Sequence, residues 1–134
     1  MVLVVDDDEA IAKAYGKVLA AVGFEVLVRT DPSQAALDVV TQRFAAIVSD
    51  IAMPGMSGID LLSVVRSYDA DVPVILVTGN GSLETAMDAI ALRSTEYFLK
   101  PVDPPALLRA VRKGIERVRS SRPPVAAARP THLL

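Results

Sequence analysis

At 134 residues the chain has the length of a single domain, enough to bury a core without disulfide or metal staples; with no cysteine, disulfides and thiolate metal sites are excluded. A formal net charge of −2 and an aromatic content of 4% argue against direct nucleic-acid binding, which usually needs a basic excess or stacking rings. Apolar runs such as VLVV and VILV fall far short of the ~20 residues of a membrane span, and no basic leader or cleavage site opens the chain, so the expected location is the cytoplasm with no membrane partner.

Short runs rich in valine and isoleucine alternate with segments of helical period, the pattern of a parallel sheet covered by helices on both faces. The first strand is expected over residues 2–6. A helix follows from Asp8 to Val22, in which Ile11, Tyr15, Val18, Leu19 and Val22 recur at spacings of three and four, with Gly23 as its left-handed stop. The second unit pairs EVLVR (25–29) with a helix that Asp31 caps, Pro32 opens and Arg43 closes. The third has AAIVS (45–49) leading into Asp50, the turn-rich MPGMSG, and a helix from Gly58 to Ser67. In the fourth, VPVILVT (72–78) precedes GNGS and a helix over 82–92, capped by Ser82 and expected to bury Leu83, Met87 and Ile90. The fifth has EYFLK (96–100), Pro101 and a helix over 104–119 with Leu107, Ala110, Val111, Gly114, Ile115 and Val118 inward. Residues 1–120 thus form one domain. Residues 121–134, rich in proline and alanine, read as a tail or linker.

An open parallel sheet gathers the C-terminal ends of all its strands on one edge, where ligands bind. That edge would collect Asp6 and Asp7 from strand one, Asp50 from strand three, Thr78 from strand four and Lys100 from strand five. Clustered carboxylates either take up a proton or find a cation. An all-oxygen set suits a hard ion such as Mg²⁺, which takes one or two carboxylates plus phosphate oxygens. One divalent cation and the Lys100 ammonium balance three carboxylates, so the site could accept a phosphoryl group. Asp50 is the candidate nucleophile, with Thr78 offering a hydroxyl to a phosphoryl oxygen. Capping competes with this reading. Asp8 and Glu9 are assigned to the first helix's N-terminus, where the dipole favours negative charge, and Asp6 and Asp7 are open to either role. Met53 and Met56 are expected to pack, and His132 to be exposed in the tail.

VLVVDDDE, SDIAMPGMSGIDLL, VILVTGNGS and EYFLKP, in this order and spacing, closely resemble the receiver domain of two-component response regulators over residues 2–119. The resemblance implies a flavodoxin-like, doubly wound sheet in the order 2-1-3-4-5. It further implies that Asp50 receives a phosphoryl group from a phosphohistidine of a histidine kinase or histidine phosphotransfer protein. Asp7, Asp50 and the Ala52 backbone carbonyl would hold Mg²⁺, or Mn²⁺ in its place, and Asp6 would act through metal-bound water. Lys100 would bridge to the phosphoryl group, and the Lys100-Pro101 bond would be cis. Thr78 and Tyr97 would be the switch pair, and Gly79 the small residue permitting close approach.

Ala52 and Asn80 stand where family members tune the lifetime of the acyl phosphate. Ser94-Thr95-Glu96 replaces a common Gly-Ala and makes the partner-facing surface more polar. The face of the fourth helix, fifth strand and fifth helix would carry the output, to a second copy, an effector, or an output domain beyond Leu134. Two rivals remain. Asp6-x-Asp8 also resembles the nucleophile and acid of haloacid-dehalogenase phosphohydrolases, and the fold could serve as an interaction module that never takes phosphate.

Overall fold

The computed structural model describes residues 1–121, apart from the side chain of Leu83. The expected tail, with His132, lies outside the described residues beyond Ser121. Five units alternate along the chain: β1 (Val2–Val5), α1 (Glu9–Ala21), β2 (Val26–Arg29), α2 (Pro32–Thr41), β3 (Ala46–Asp50), α3 (Gly58–Tyr68), β4 (Val74–Thr78), α4 (Leu83–Ala91), β5 (Glu96–Leu99) and α5 (Pro104–Ser121). All five strands are parallel, in the order β2-β1-β3-β4-β5. β1 ends one residue before Asp6, and β4 begins two residues later than expected.

Period-two alternation sends each central strand's side chains to opposite faces, and each face carries its own core. Leu3, Val5, Ile47, Val74 and Leu76 pack with Ala35 and Val39 of α2, Leu61, Leu62 and Val65 of α3, and Ala89 of α4. Val2, Val4, Val48, Ile75 and Val77 pack with Ala12 and Leu19 of α1 and Leu107, Ala110 and Val111 of α5. Each fully buried leucine or valine contributes about 1.5–3 kcal/mol against exposure. Met53 belongs to the first core and Met56 packs against it, as loop packing requires. β2 and β5 lie at the sheet's edges and are only partly buried.

Local chemistry marks the helix starts. Asp8 caps α1, its carboxylate accepting from the amides of Ala10 and Ile11 at 3.0 and 3.2 Å, with Glu9 in the first turn. Asp31 caps α2 ahead of Pro32. Ser57 and Asp60 form a reciprocal capping box at α3, as Ser82 and Thr85 do at α4. Gly23 takes a φ of 99° beyond the end of α1.

The orientation of α4 corrects one expectation. Met87 and Ile90 are not buried; they are 60% and 76% exposed. Two stripes of this helix satisfy the same spacing. The stripe that faces the sheet is the smaller one, with Ala86 half-buried, Ala89 buried and Leu92 packed against the core, because alanines let the helix lie close. α1 uses the same device: its fully buried positions are Ala12, Gly16 and Leu19, while Val22 is exposed.

Candidate functional site

The acidic rim is assembled by strand ends. Asp6 follows β1 directly, and its amide still donates to the Arg29 carbonyl at 3.1 Å, extending the ladder one residue past the strand. Asp50 closes β3 and Thr78 closes β4; Lys100, just after β5, donates its amide to the Thr78 carbonyl at 2.7 Å. Asp6, Asp50 and Thr78 are 1%, 6% and 1% exposed, whereas Asp7 is open to solvent. One carboxylate oxygen from each of Asp6, Asp7 and Asp50 lies within 4.8 Å of the others.

Lys100 reaches across this cluster. Its ammonium donates to Asp6 Oδ2 at 2.9 Å and stands 3.3 Å from Asp50 Oδ2. The remaining oxygens are also engaged, Asp6 Oδ1 accepting from the Asp8 amide at 2.9 Å and Asp50 Oδ1 from the Ile51 amide at 2.8 Å. Burial pushes the Asp6 carboxyl above its ordinary 3.8, and the Asp50 charge adds to this, against the opposing pull of Lys100 and the Asp8 amide. For Lys100, burial acts to lower the value, but the bond to Asp6 and the charges of Asp6 and Asp50 outweigh it and hold the ammonium above its usual 10.5. The set is therefore all-oxygen, anionic and partly open at Asp7, which suits a hard divalent cation.

Around the rim, Thr78 Oγ1 accepts from the Asn80 amide at 3.3 Å, and the Lys100-Pro101 bond is cis. Tyr97 is half-buried on β5, its hydroxyl 2.9 Å from Thr85 Oγ1. A Cβ at Gly79 would come only to 3.9 Å from Lys100 Cδ, an ordinary contact. A close approach is found at Gly58, where a Cβ would sit 2.0 Å from the Asp50 carbonyl oxygen. There the turn after β3 folds back on the strand end, the Gly58 amide donating to the Ile51 carbonyl at 2.9 Å. Sequence reading places Gly58 at the start of the third helix, but nothing local in MPGMSG signals the close approach it makes to the Asp50 carbonyl. Tyr15 is a second residue it passes over. Burial raises its phenol, and the charges of Lys100, Asp6 and Asp50 all act on it from the rim.

A family description, the response regulator receiver domain, matches residues 2–112. The chain belongs to the response regulator receiver family. It is 34% identical over 119 residues to the phosphoglycerate transport system transcriptional regulatory protein PgtA of Salmonella typhimurium, covering 89% of this chain and 29% of that protein. It is 35% identical over 115 residues to the transcriptional regulatory protein FixJ of Azorhizobium caulinodans, covering 85% and 54%. This receiver thus spans between about a quarter and just over half of these regulators' length. Among solved structures, a CheY-like receiver domain protein from Methanospirillum hungatei superposes with a TM-score of 0.88 at 27% identity, covering 90% of this chain and 97% of that one. The beryllofluoride-activated NtrC4 receiver domain dimer gives 0.80 at 29% identity, with 87% and 96% covered.

Receivers work in general as phosphorylation switches and bind Mg²⁺ in an acidic pocket. The cluster of Asp6, Asp7 and Asp50 has the donor set and spacing for such an ion. The haloacid-dehalogenase rival finds no support in the geometry, since the Asp8 carboxylate, its would-be acid, is spent on the α1 amides. Among the described residues, no helix is long and apolar enough to cross a membrane.

Proposed function

We propose that this receiver takes a phosphoryl group on Asp50 from the phosphohistidine of a histidine kinase or histidine phosphotransfer protein. The observation that carries the reading is the convergence of three carboxylates within 4.8 Å beneath a single ammonium, Lys100, bonded to two of them. In the transfer, an oxygen of the ionised Asp50 attacks phosphorus and forms the acyl phosphate. The phosphorus–nitrogen bond breaks, and the imidazole, protonated on its other ring nitrogen, leaves with the electron pair as the neutral base.

Asp7, Asp50 and the Ala52 carbonyl are the groups that would hold Mg²⁺, or Mn²⁺, with Asp6 acting through a metal-bound water. When bound, the ion supplies charge neutralisation to the transferring oxygens. Lys100 moves from Asp6 and Asp50 toward the phosphoryl group and neutralises a further oxygen. Thr78 exchanges the Asn80 amide for a phosphoryl oxygen, this time as donor.

The change at Asp50 is the gain of about one negative charge and three acceptor oxygens. Thr78 and Tyr97 carry it outward, the ring following the space that Thr78 vacates. Reversing a two-state balance from mostly off to mostly on requires about 5.5 kcal/mol of differential binding, so a partial shift is expected. The face of α4, β5 and α5 is the output surface. Met87, Ile90 and Leu99, all exposed, make it apolar enough for a second copy or an effector. The resemblance to a receiver described as an activated dimer supports the former. The full-length relatives are transcriptional regulators, so an output domain joined through the Pro/Ala-rich segment from 121 to 134 completes the reading. Ala52 offers no polar atom to place an attacking water, whereas Asn80 does, so hydrolysis of the acyl phosphate would depend on Asn80.

Beryllofluoride with Mg²⁺ mimics the acyl phosphate and tests the proposal. Amide shifts centred on Asp50, Thr78 and Tyr97 are expected. Shifts confined to Asp6 and Asp8, or none at all, would overturn it.

A further inference from the structure

Tyr97 is held by two residues that no part of the phosphoryl chemistry requires. Thr85 is the third residue of α4 and its side chain is already committed to the helix start: Ser82 Oγ accepts from the Thr85 amide at 3.1 Å, and Thr85 Oγ1 accepts from the Ser82 amide at 3.2 Å. The same Thr85 Oγ1 stands 2.9 Å from the Tyr97 hydroxyl and 3.1 Å from the Ser82 carbonyl. Ser82 Oγ lies 3.0 Å from the same oxygen, and in the Tyr97 contact either hydroxyl can be the donor. The ring's anchor is therefore a group fixed by the capping box and not a mobile surface side chain.

Gly81 supplies the space. A Cβ there would lie 2.9 Å from the Tyr97 hydroxyl oxygen and 2.7 Å from Leu99 Cδ2. Its backbone does not explain the glycine, because the positive-φ glycines among the described residues are Gly23 and Gly55. What Gly81 provides at this point is room for the tip of Tyr97. Leu99 is 61% exposed and can swing aside, so a methyl group at position 81 presses chiefly on the tyrosine.

We propose that the arrangement of Tyr97 seen here, with Thr78 Oγ1 turned to the Asn80 amide, is the off arrangement, and that Thr85 and Gly81 are positioning residues which hold it, Thr85 by a hydrogen bond and Gly81 by leaving the volume that the hydroxyl fills. The inference rests on the reading of Tyr97 as a switch residue and adds what opposes the switch. Phosphorylation of Asp50 must break the Tyr97–Thr85 bond, and in doing so it removes a partner from the capping box at the start of α4. The movement of one ring is thereby passed to the N-terminus of the helix that bears Met87 and Ile90.

Loss of one hydrogen bond from the off state raises the population of the on state, and any ligand selective for the on state gains apparent affinity in proportion. Gly81→Ala leaves the capping box intact, Thr85→Val removes the hydroxyl at constant shape, and Thr85→Ser restores it. With the three tyrosines labelled as 3-fluorotyrosine, the Tyr97 ¹⁹F resonance can be followed during titration with beryllofluoride at fixed Mg²⁺. Half-saturation is expected at roughly two- to tenfold lower beryllofluoride in Gly81→Ala and Thr85→Val, the range of one net hydrogen bond, and at the parent value in Thr85→Ser. Unchanged half-saturation in both Gly81→Ala and Thr85→Val, with the Tyr97 resonance still moving at saturation, would overturn this inference and leave the switch standing. A Tyr97 resonance that stays fixed at saturating beryllofluoride in the parent protein would remove the switch reading itself, and this inference with it.

Discussion

Asp6 keeps a negative charge in a place that resists it. It is almost wholly buried, faces Asp50, and is steadied by Lys100 and one amide. Its folded pKa lies above the unfolded value, so the native state binds the extra proton between the two. The stabilisation this confers is complete below about pH 3.8 and is lost as pH rises through the raised folded value. At neutral pH the ionised Asp6 is thus a burden to the fold. Asp6→Asn should therefore raise stability in metal-free buffer at pH 7 by roughly 0.5–2 kcal/mol, the scale of single stabilising changes, and flatten the acid side of the profile. Urea unfolding from pH 4 to 8 checks it. Mg²⁺ at ten times its Kd should stabilise the parent by about 1.4 kcal/mol and the variant less.

Gly58 belongs to the same scale. Its missing Cβ lets α3 begin against the Asp50 carbonyl, and Gly58→Ala should cost about 1–3 kcal/mol through overpacking. It should also weaken Mg²⁺ binding, because the backbone that gives way is that of Asp50. Isothermal titration with Mg²⁺ reads the second effect. The acids were legible in the sequence because like charges gathered at strand ends need a proton or a cation. Gly58, Gly81 and Thr85 were not, because what each one meets lies on another element.

Among the elements, α4 departs furthest from what its sequence suggests. Met87-Ile90 and Ala86-Ala89-Leu92 both recur at helical spacing, and hydropathy favours the first, but close packing against the sheet selects the second. The C-terminal end of α4 is held from outside. Arg66 of α3 donates to the carbonyls of Leu92 and Arg93 at 3.0 and 2.7 Å, and to those of Val72 and Asp69 at 2.8 and 3.2 Å. Burial depresses its pKa, with the Arg93 charge adding to the effect. Arg66→Met should lose about 2–3 kcal/mol, the worth of bonds to a charged donor, since it strips several carbonyls of one partner. Hydrogen exchange should show the loss first at the α4–β5 junction.

Arg93 itself adopts a φ of 59° just past the C-cap Leu92, with the Ser94 amide returning to the Ala89 carbonyl at 2.8 Å. A left-handed non-glycine costs about 1–2 kcal/mol. Arg93→Gly should therefore raise the thermal midpoint, by about 1 kcal/mol of stability once glycine's unfolded freedom is counted. A midpoint equal to or below the parent's would refute that.

At the scale of the whole molecule, the parallel sheet does two things at once. It buries the central strands on both faces, which is why they read as unbroken valine and isoleucine runs, and it brings all their C-terminal ends to one edge. The fold class and the site were legible for the same reason. The strand order was not contained in the periodicity and came from the resemblance to the family, because hydropathy does not say which strand neighbours which. The partly buried edges, β2 and β5, differ: Arg29 at the end of β2 is clamped to Asp38 of α2 at 2.6 and 3.0 Å, whereas β5 carries half-buried Tyr97 and exposed Leu99.

The central claim is that this architecture makes Asp50 the phosphoryl acceptor. Incubation of the protein with Mg²⁺ and a small acyl phosphate donor, followed by intact-mass measurement and peptide mapping, tests it most directly. A single phosphoryl adduct on Asp50, not formed when the metal is chelated before the donor is added and absent from Asp50→Asn, is the result predicted; an adduct on Asp6, or none with Mg²⁺ bound, would contradict it.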